Sequence, residues 1–146
     1  MTIKEYLSQA YRLDQRINSK IEQINCLHDL AAKASTTISE TSCCSSANKQ
    51  RMENNIVKIV DLEREINEDI DKLIEVKKDI VEMVKKVENP EYQTLLERRY
   101  LCFKKWEQIA MEMNYDLRYI HKLHLRALSV CKKNFKRTLK DIERHY

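Results

Sequence analysis

With 146 residues, no glycine and one proline, the chain has room for one domain or two small ones and lacks the residue that tight turns and phosphate-binding loops usually need. Since 42% of the residues are hydrophobic and 34% are charged, the composition favours long helices with charged outer faces and predicts an all-α fold. The net charge of +4 is unevenly distributed: residues 91–146 contain 13 Lys or Arg and 7 Asp or Glu, whereas residues 1–90 contain 14 and 16. This asymmetry predicts a C-terminal part that binds a polyanion or, alternatively, only presents a basic surface to solvent.

The five cysteines form no C-x-x-C pair, and no signal-peptide pattern opens the sequence, so we expect reduced thiols and a cytoplasmic location. No stretch is apolar enough to suggest a membrane span. His121 and His124 are the only close histidine pair, and no cysteine lies near them in sequence. We therefore expect neither a metal nor another cofactor.

The first predicted element is a helix from Ile3 to about Ala31, because apolar residues recur there at spacings of three and four. Asp14 and His28 interrupt this heptad pattern. Residues 34–48, ASTTISETSCCSSAN, lose the pattern, and their Ser and Thr side chains compete for backbone hydrogen bonds, which predicts a loop. The predicted apolar seam of the first helix consists of Ile3, Leu7, Ala10, Ile17, Ile21, Ile24 and Ala31.

A second heptad pattern predicts a long helix from about Asn48 to Glu88, with Glu63 and Lys77 as polar members of its seam. Residues 1–88 would then form a helical hairpin. Since its first helix is the shorter one, part of the second seam needs another partner. We expect a homodimer through these helices; the alternative is a monomer whose C-terminal helices fold back on the hairpin. The apolar seam consists of Met52, Ile56, Ile59, Ile66, Ile70, Leu73, Ile80, Val84 and Val87.

Asn89-Pro90-Glu91 marks the boundary of a second domain, residues 89–146, because Asn caps helices, Pro fits a first helical turn and Glu suits its positive end. Three helices are predicted there: Pro90–Leu101, Lys105–Met113, and a third after the turn Met113–Asp116. Asn114 tolerates the left-handed conformation that ends a helix. A short helix, a tight turn and a helix with a basic outer face are typical of a helix-turn-helix.

The segment resembles the region-4 DNA-binding domain of bacterial sigma factors. The resemblance lies in LLERRYL at 95–101, WEQIA at Trp106–Ala110, the turn Asn114–Asp116, and Ile120 with Arg126-Ala127. Over the whole chain, the sequence is similar to short phage- and prophage-encoded proteins of Gram-positive bacteria. That similarity rests on the motifs Leu13–Ile17, Val57–Asn67 and Asn89–Tyr115.

This resemblance implies a transcriptional regulator of phage or prophage genes, an activator that acts with host RNA polymerase. In a major groove, Arg118 would suit a bidentate bond to guanine, and residues farther along the third helix would contact bases or phosphates. A helix face that only contacts solvent has the same sequence pattern. Each of these residues is therefore either a DNA contact or a solvent-exposed side chain without such a role. The predicted DNA-binding residues are Arg118, Tyr119, His121, Lys122 and Arg126, with Lys104 and Lys105 on the DNA backbone.

We expect Trp106, Ile109, Ile120 and Leu128 to form the core of this domain, with His124 as a packed, hydrogen-bonded core histidine. No motif combines a nucleophile with an oriented base, so we do not expect an enzyme. Two further functions stay open. A small-terminase-like DNA-packaging protein would also join a helix-turn-helix to an oligomerising hairpin, and a coiled-coil adaptor would use both parts to bind protein.

Overall fold

The structure is a computed structural model that describes residues 2–38 and 45–144, with side chains at all of these positions except 34–38, 45–46, 48, 138–139 and 141–143. These residues are helical throughout, apart from short turns, and include no strand, so the fold is all-α as the composition predicts. The helices are α1 (Ile3–Leu7), α2 (Gln9–Ile38), α3 (Ser45–Lys85), α4 (Pro90–Leu96), α5 (Trp106–Met113) and α6 (Leu117–Arg144), and a π-helical turn (Glu97–Leu101) continues α4.

The first predicted helix is divided at Ser8, whose hydroxyl donates a 2.6 Å hydrogen bond to the Lys4 carbonyl. Thr2 begins α1 with a capping box, since its side chain accepts from the Glu5 N–H while the Glu5 carboxylate accepts from the Thr2 N–H. Because each β-branched or hydroxylated residue lowers helix propensity only slightly, both long helices extend into the predicted loop 34–48. Positions 39–44 of that loop, with Cys43 and Cys44, lie outside the described residues.

The contacts divide the chain into two compact units, and the division does not follow the predicted boundary at residue 89. The helix-pair unit consists of Leu13–Lys72. The head unit consists of Met1–Arg12 together with Leu73–Tyr146. Residues from the beginning of the chain and from the last turns of α3 therefore belong with the C-terminal helices.

In the helix-pair unit, the Lys20 ammonium lies 2.6 Å from Oδ2 of Asp69 and 3.5 Å from Oε2 of Glu65. Asp69 is 9% exposed, and its hydrogen bond raises the pKa of Lys20. Ile17, Ile59 and Ile66 are buried in the same unit. An ion pair between α2 and α3 thus takes the place of an apolar contact.

Three residues of the predicted apolar seams are exposed in the single chain. Ile21, Ile56 and Ile70 are 42%, 56% and 37% exposed. The reason is a small rotation of each helix: α2 buries most of Lys20 instead of Ile21, and α3 buries Asp69 instead of Ile70. A heptad pattern does not distinguish two such neighbouring faces when both contain apolar residues.

The core of the head unit combines segments that are distant in sequence. Leu7 and Ala10, from the first part of the chain, are fully buried, as are residues of α4, α5 and α6. The Tyr6 ring lies 5.7 Å from the ring of Phe135 on α6. The largest fully buried side chains in this core are Leu7, Ile80, Val84, Val87, Leu95, Leu96, Ile109, Ile120, Leu123 and Cys131.

Candidate nucleic-acid interface

The helix that precedes the candidate interface begins as predicted and ends differently. The Asn89 side chain accepts a 2.9 Å hydrogen bond from the Glu91 N–H, and Pro90 occupies the first turn of α4. The sequence predicts a regular helix to Leu101, but a π-helical turn begins at Glu97, where the Cys102 N–H donates to the Glu97 carbonyl over 3.0 Å. One extra residue in this turn changes the direction of the side chains that follow.

The π-helical turn contains Tyr100, which is 4% exposed and whose hydroxyl lies 2.6 Å from Nε2 of His124 on α6. Burial lowers the pKa of His124 to about 4 and raises that of Tyr100 to about 12, so both side chains are neutral at pH 7. The Trp106 ring lies edge-on, 4.5 Å from the ring of His124. The predicted core histidine is therefore confirmed, and His124 is no candidate for DNA contact.

The predicted core around His124 is confirmed in part. Ile109 and Ile120 are fully buried. Trp106 and Leu128 are only half-buried and pack against the edge of the core. The guanidinium carbon of Arg99 lies 4.6 Å from the ring centroid of Trp106, which is a cation–π contact. Arg99 thus covers the face of the tryptophan ring that does not pack against the core.

The turn between α5 and α6 consists of Asn114, Tyr115 and Asp116. Asn114 has φ 56° and ψ 41°, the left-handed conformation that the sequence predicts for it. The Tyr115 N–H donates to the Ala110 carbonyl at 3.1 Å and the Asn114 N–H to the Met111 carbonyl at 3.3 Å, which is the Schellman pattern of a helix end. The Asp116 carbonyl accepts the Ile120 N–H at 3.0 Å and so begins α6.

The predicted base-reading residues lie at the beginning of α6 and are all exposed: Arg118, Tyr119, His121 and Lys122. At about 100° per residue, Arg118 and Lys122 lie on one face of the helix. Tyr119 is 36% exposed and packs against Tyr115, with the ring centroids 4.7 Å apart and the rings tilted by 54°. His121 packs against Trp106 at 5.2 Å, so its ring is fixed although it is exposed.

The exposed face continues along α6, which is a single helix of 28 residues. Arg126 is exposed one turn after Lys122. Between Leu117 and Lys140 the sequence contains eight Lys or Arg and no Asp or Glu. The cations of the second half are also exposed: Lys132, Lys133, Lys136, Arg137 and Lys140. We name the exposed cations of α6 from Arg118 to Lys140 the basic face.

The two lysines predicted to contact the DNA backbone differ from each other. Lys104 is two-thirds buried, and its ammonium lies 2.8 Å from Oε1 of Glu112, whose other oxygen lies 2.6 Å from Nη1 of Arg98. The hydrogen bond from Lys104 lowers the pKa of Glu112. Lys105, the residue before α5, is exposed, and its side chain forms no ion pair and no helix cap with the described residues. The charge of Lys104 is compensated within the protein, whereas that of Lys105 faces solvent.

Sequence reasoning did not predict the Arg98–Glu112–Lys104 cluster, because 14 positions separate Arg98 from Glu112 and no periodicity relates them. In the part of the chain that the structure describes, no group of three or more His, Cys, Asp or Glu residues is arranged to hold a metal ion. None of the helices over these positions is long and apolar enough to cross a membrane.

Comparison of the chain with protein-family models, curated proteins and solved structures gives no significant match.

Proposed function

We propose that this protein is a sequence-specific DNA-binding transcriptional regulator in which α5, the turn at Asn114 and α6 form a helix-turn-helix. The observation that carries the proposal is the basic face, where every charged side chain between Arg118 and Lys140 is a cation. A helix with such a face presents a continuous positive potential along its length of about 42 Å.

The two ends of the basic face suit different parts of DNA. Arg118 and Lys122, in the first two turns of α6, correspond to the positions that contact base edges when a recognition helix enters the major groove. Lys132, Lys133 and Lys136 lie about three to four turns beyond Lys122 and suit phosphate contacts. Lys105 extends the positive surface at the beginning of α5.

The resemblance to sigma region 4 and to short phage proteins supports regulation of phage or prophage genes together with host RNA polymerase. Met111 on α5 and Leu125 on α6 are 80% and 67% exposed, and such apolar side chains suit a protein partner beside the DNA. The helix-pair unit would form an antiparallel hairpin through which two copies dimerise. A two-fold dimer would present two recognition helices to paired half-sites.

The experiment is a salt-titrated binding assay on the duplex that the protein enriches from a random DNA pool. Arg118→Ala and Lys122→Ala are each expected to weaken binding about 5- to 150-fold, as loss of a base contact worth about 1–3 kcal/mol requires. Lys78→Ala, an exposed lysine on α3, is the matched control and should bind like the wild type. Wild-type affinity should fall steeply with salt.

Equal and weak binding of every duplex, unchanged by both α6 substitutions, would contradict the proposal and favour a protein-binding adaptor. A specific duplex bound by a closed ring of many subunits would favour the DNA-packaging function instead. A dimer that protects one duplex sequence is the result expected for a regulator.

A further inference from the structure

Five exposed residues of α3 form a row along the helix, within the helix-pair unit. Ile56, Val60 and Ile70 are 56%, 56% and 37% exposed, and Glu63 and Asn67 are exposed between them. At 100° per residue these five positions lie within about 80° of one another. We name them the outer stripe. The outer stripe lies about a quarter turn around α3 from the face that contains buried Ile59 and Ile66. The packing within the helix-pair unit therefore does not cover it.

The outer stripe is symmetric along the helix. Val60, Glu63, Asn67 and Ile70 are separated by three, four and three residues, and this spacing is the same in either direction. When two copies of α3 lie antiparallel, Val60 of each faces Ile70 of the other, and Glu63 faces Asn67. Alternating spacings of three and four are those of the residues that interdigitate between paired helices.

The polar centre of the stripe selects one orientation. Neither Glu63 nor Asn67 forms a hydrogen bond or an ion pair with any described residue of its own chain. In the antiparallel arrangement the Asn67 amide donates to the carboxylate of Glu63 from the second copy, twice in each dimer. In a parallel arrangement the two Glu63 carboxylates would face each other, which is unfavourable. Arg64, next to Glu63 in sequence, pairs with Asp61 of its own helix at 3.3 Å.

We propose that the outer stripe is the surface on which a second copy of this chain docks, with its α3 antiparallel. This deepens the dimer included in the proposed function by assigning its face, register and direction. The apolar ends of the stripe would supply the burial, and its polar centre would fix the register, as a polar residue within a seam does in other paired helices.

The test is the mass of the full chain in solution, measured by sedimentation equilibrium over a series of concentrations. The wild type should have twice the monomer mass of 17.5 kDa at tens of micromolar. Val60→Glu and Ile70→Glu should each shift the dissociation constant at least tenfold toward monomer while far-ultraviolet circular dichroism stays unchanged. Leu30→Glu on α2, at a residue 54% exposed, is the matched control and should remain a dimer.

The direction of pairing is tested with Asn67→Lys. In the antiparallel dimer each new ammonium faces a Glu63 carboxylate, so the dissociation constant should fall or stay within threefold of the wild type. In a parallel dimer lysine would face lysine, and the constant should rise at least tenfold. Asn54→Lys places the same charge on the far side of α3 and controls for the added charge. Any rise beyond threefold that Asn54→Lys does not share overturns the antiparallel assignment.

The dimer and the DNA-binding function can fail separately. A wild type that stays monomeric at tens of micromolar, or a Val60→Glu variant that stays dimeric, overturns the inference, whatever the DNA assay gives. A wild type that forms the dimer through the outer stripe but binds no DNA sequence specifically would overturn the proposed function. The docking surface would then still be supported.

Discussion

The Tyr100 hydroxyl and Nε2 of His124 lie 2.6 Å apart and join the π-helical turn after α4 to the first third of α6. A hydrogen bond between two buried polar groups is specific, because neither group has water as an alternative partner. The residues that precede His124 on α6 are Arg118, Tyr119, His121 and Lys122, the candidate base contacts. The pair therefore fixes the rotation of the helix that presents the basic face.

The first prediction concerns pH. His124 has a pKa of about 4 in the folded protein, below the 6.5 of a free histidine, so between these values the unfolded chain binds a proton that the folded chain does not. Stability should therefore fall as the pH falls from about 6.5 toward 4, by at most ~3 kcal/mol from this residue. Urea unfolding at several pH values measures it.

Because carboxylates also titrate near pH 4, a variant has to isolate the histidine. His124→Gln keeps a partner for Tyr100 without titrating in this range, and its stability should depend less on pH than that of the wild type. His28→Gln, at an exposed histidine of the helix-pair unit, is the control and should keep the wild-type slope. A wild-type slope in His124→Gln would mean that this residue does not carry the effect.

The second prediction concerns the turn before α6. Asn114 is in the left-handed region at φ 56°, where a β-branched residue is unfavourable and glycine is not. Asn114→Val should lower the free energy of unfolding by about 1–2 kcal/mol, whereas Asn114→Gly should change it by less than about 1 kcal/mol. Chemical denaturation measures both. Met111→Val, at a position 80% exposed on α5, controls for the valine itself, and an equal loss in that variant would exclude the turn as the cause.

The third prediction separates Lys104 from Lys105. Lys104 is held by Glu112, so Lys104→Ala should leave the affinity for DNA nearly unchanged and lower the midpoint of urea unfolding. Lys105 faces solvent, so Lys105→Ala should reduce the slope of log affinity against log salt by about 0.9, the value for one lost phosphate contact. Binding titrations at several salt concentrations measure both slopes. The assignment is wrong if Lys104→Ala reduces the slope and Lys105→Ala does not.

The fourth prediction concerns the packing of the first residues against the C-terminal helices. Leu7 is fully buried in the head unit, so Leu7→Ala should cost about 2–5 kcal/mol of unfolding free energy. Leu125→Ala makes the same truncation at a residue of the same unit that is 67% exposed, and should cost less than about 1 kcal/mol. Equal small effects would show that residues 1–12 are not part of this core.

Much of the local structure could be predicted because it depends on single residues. Asn89 and Pro90 begin a helix for reasons of hydrogen bonding and backbone geometry that act within one turn. Asn114 adopts the left-handed conformation because its side chain tolerates it. His124 is buried as its position on the apolar side of α6 predicts.

The remaining features depend on distant partners. The buried face of α3 includes Asp69 because Lys20 lies opposite and forms an ion pair with it. Since neither residue is apolar, the apolar pattern does not predict this contact. The role of Lys104 depends on Glu112, and the packing of Leu7 depends on α6. A periodic pattern reports which side of a helix is apolar on average. It does not report which neighbour covers that side or which ion pair replaces an apolar contact.

The composition of the head unit has a consequence for biosynthesis. Residues 3–10 share a core with Ile120 and Cys131, although most of the chain lies between them, whereas residues 13–72 are contiguous. On the ribosome, α1 emerges before α6, and its buried side chains stay without their packing partners until α6 has been translated. We expect the helix-pair unit to acquire its contacts first and the head unit to fold more slowly, since distant contacts carry a larger loop-closure cost. During that interval we expect Tyr6, Leu7 and Ala10 of the nascent chain to be exposed to solvent.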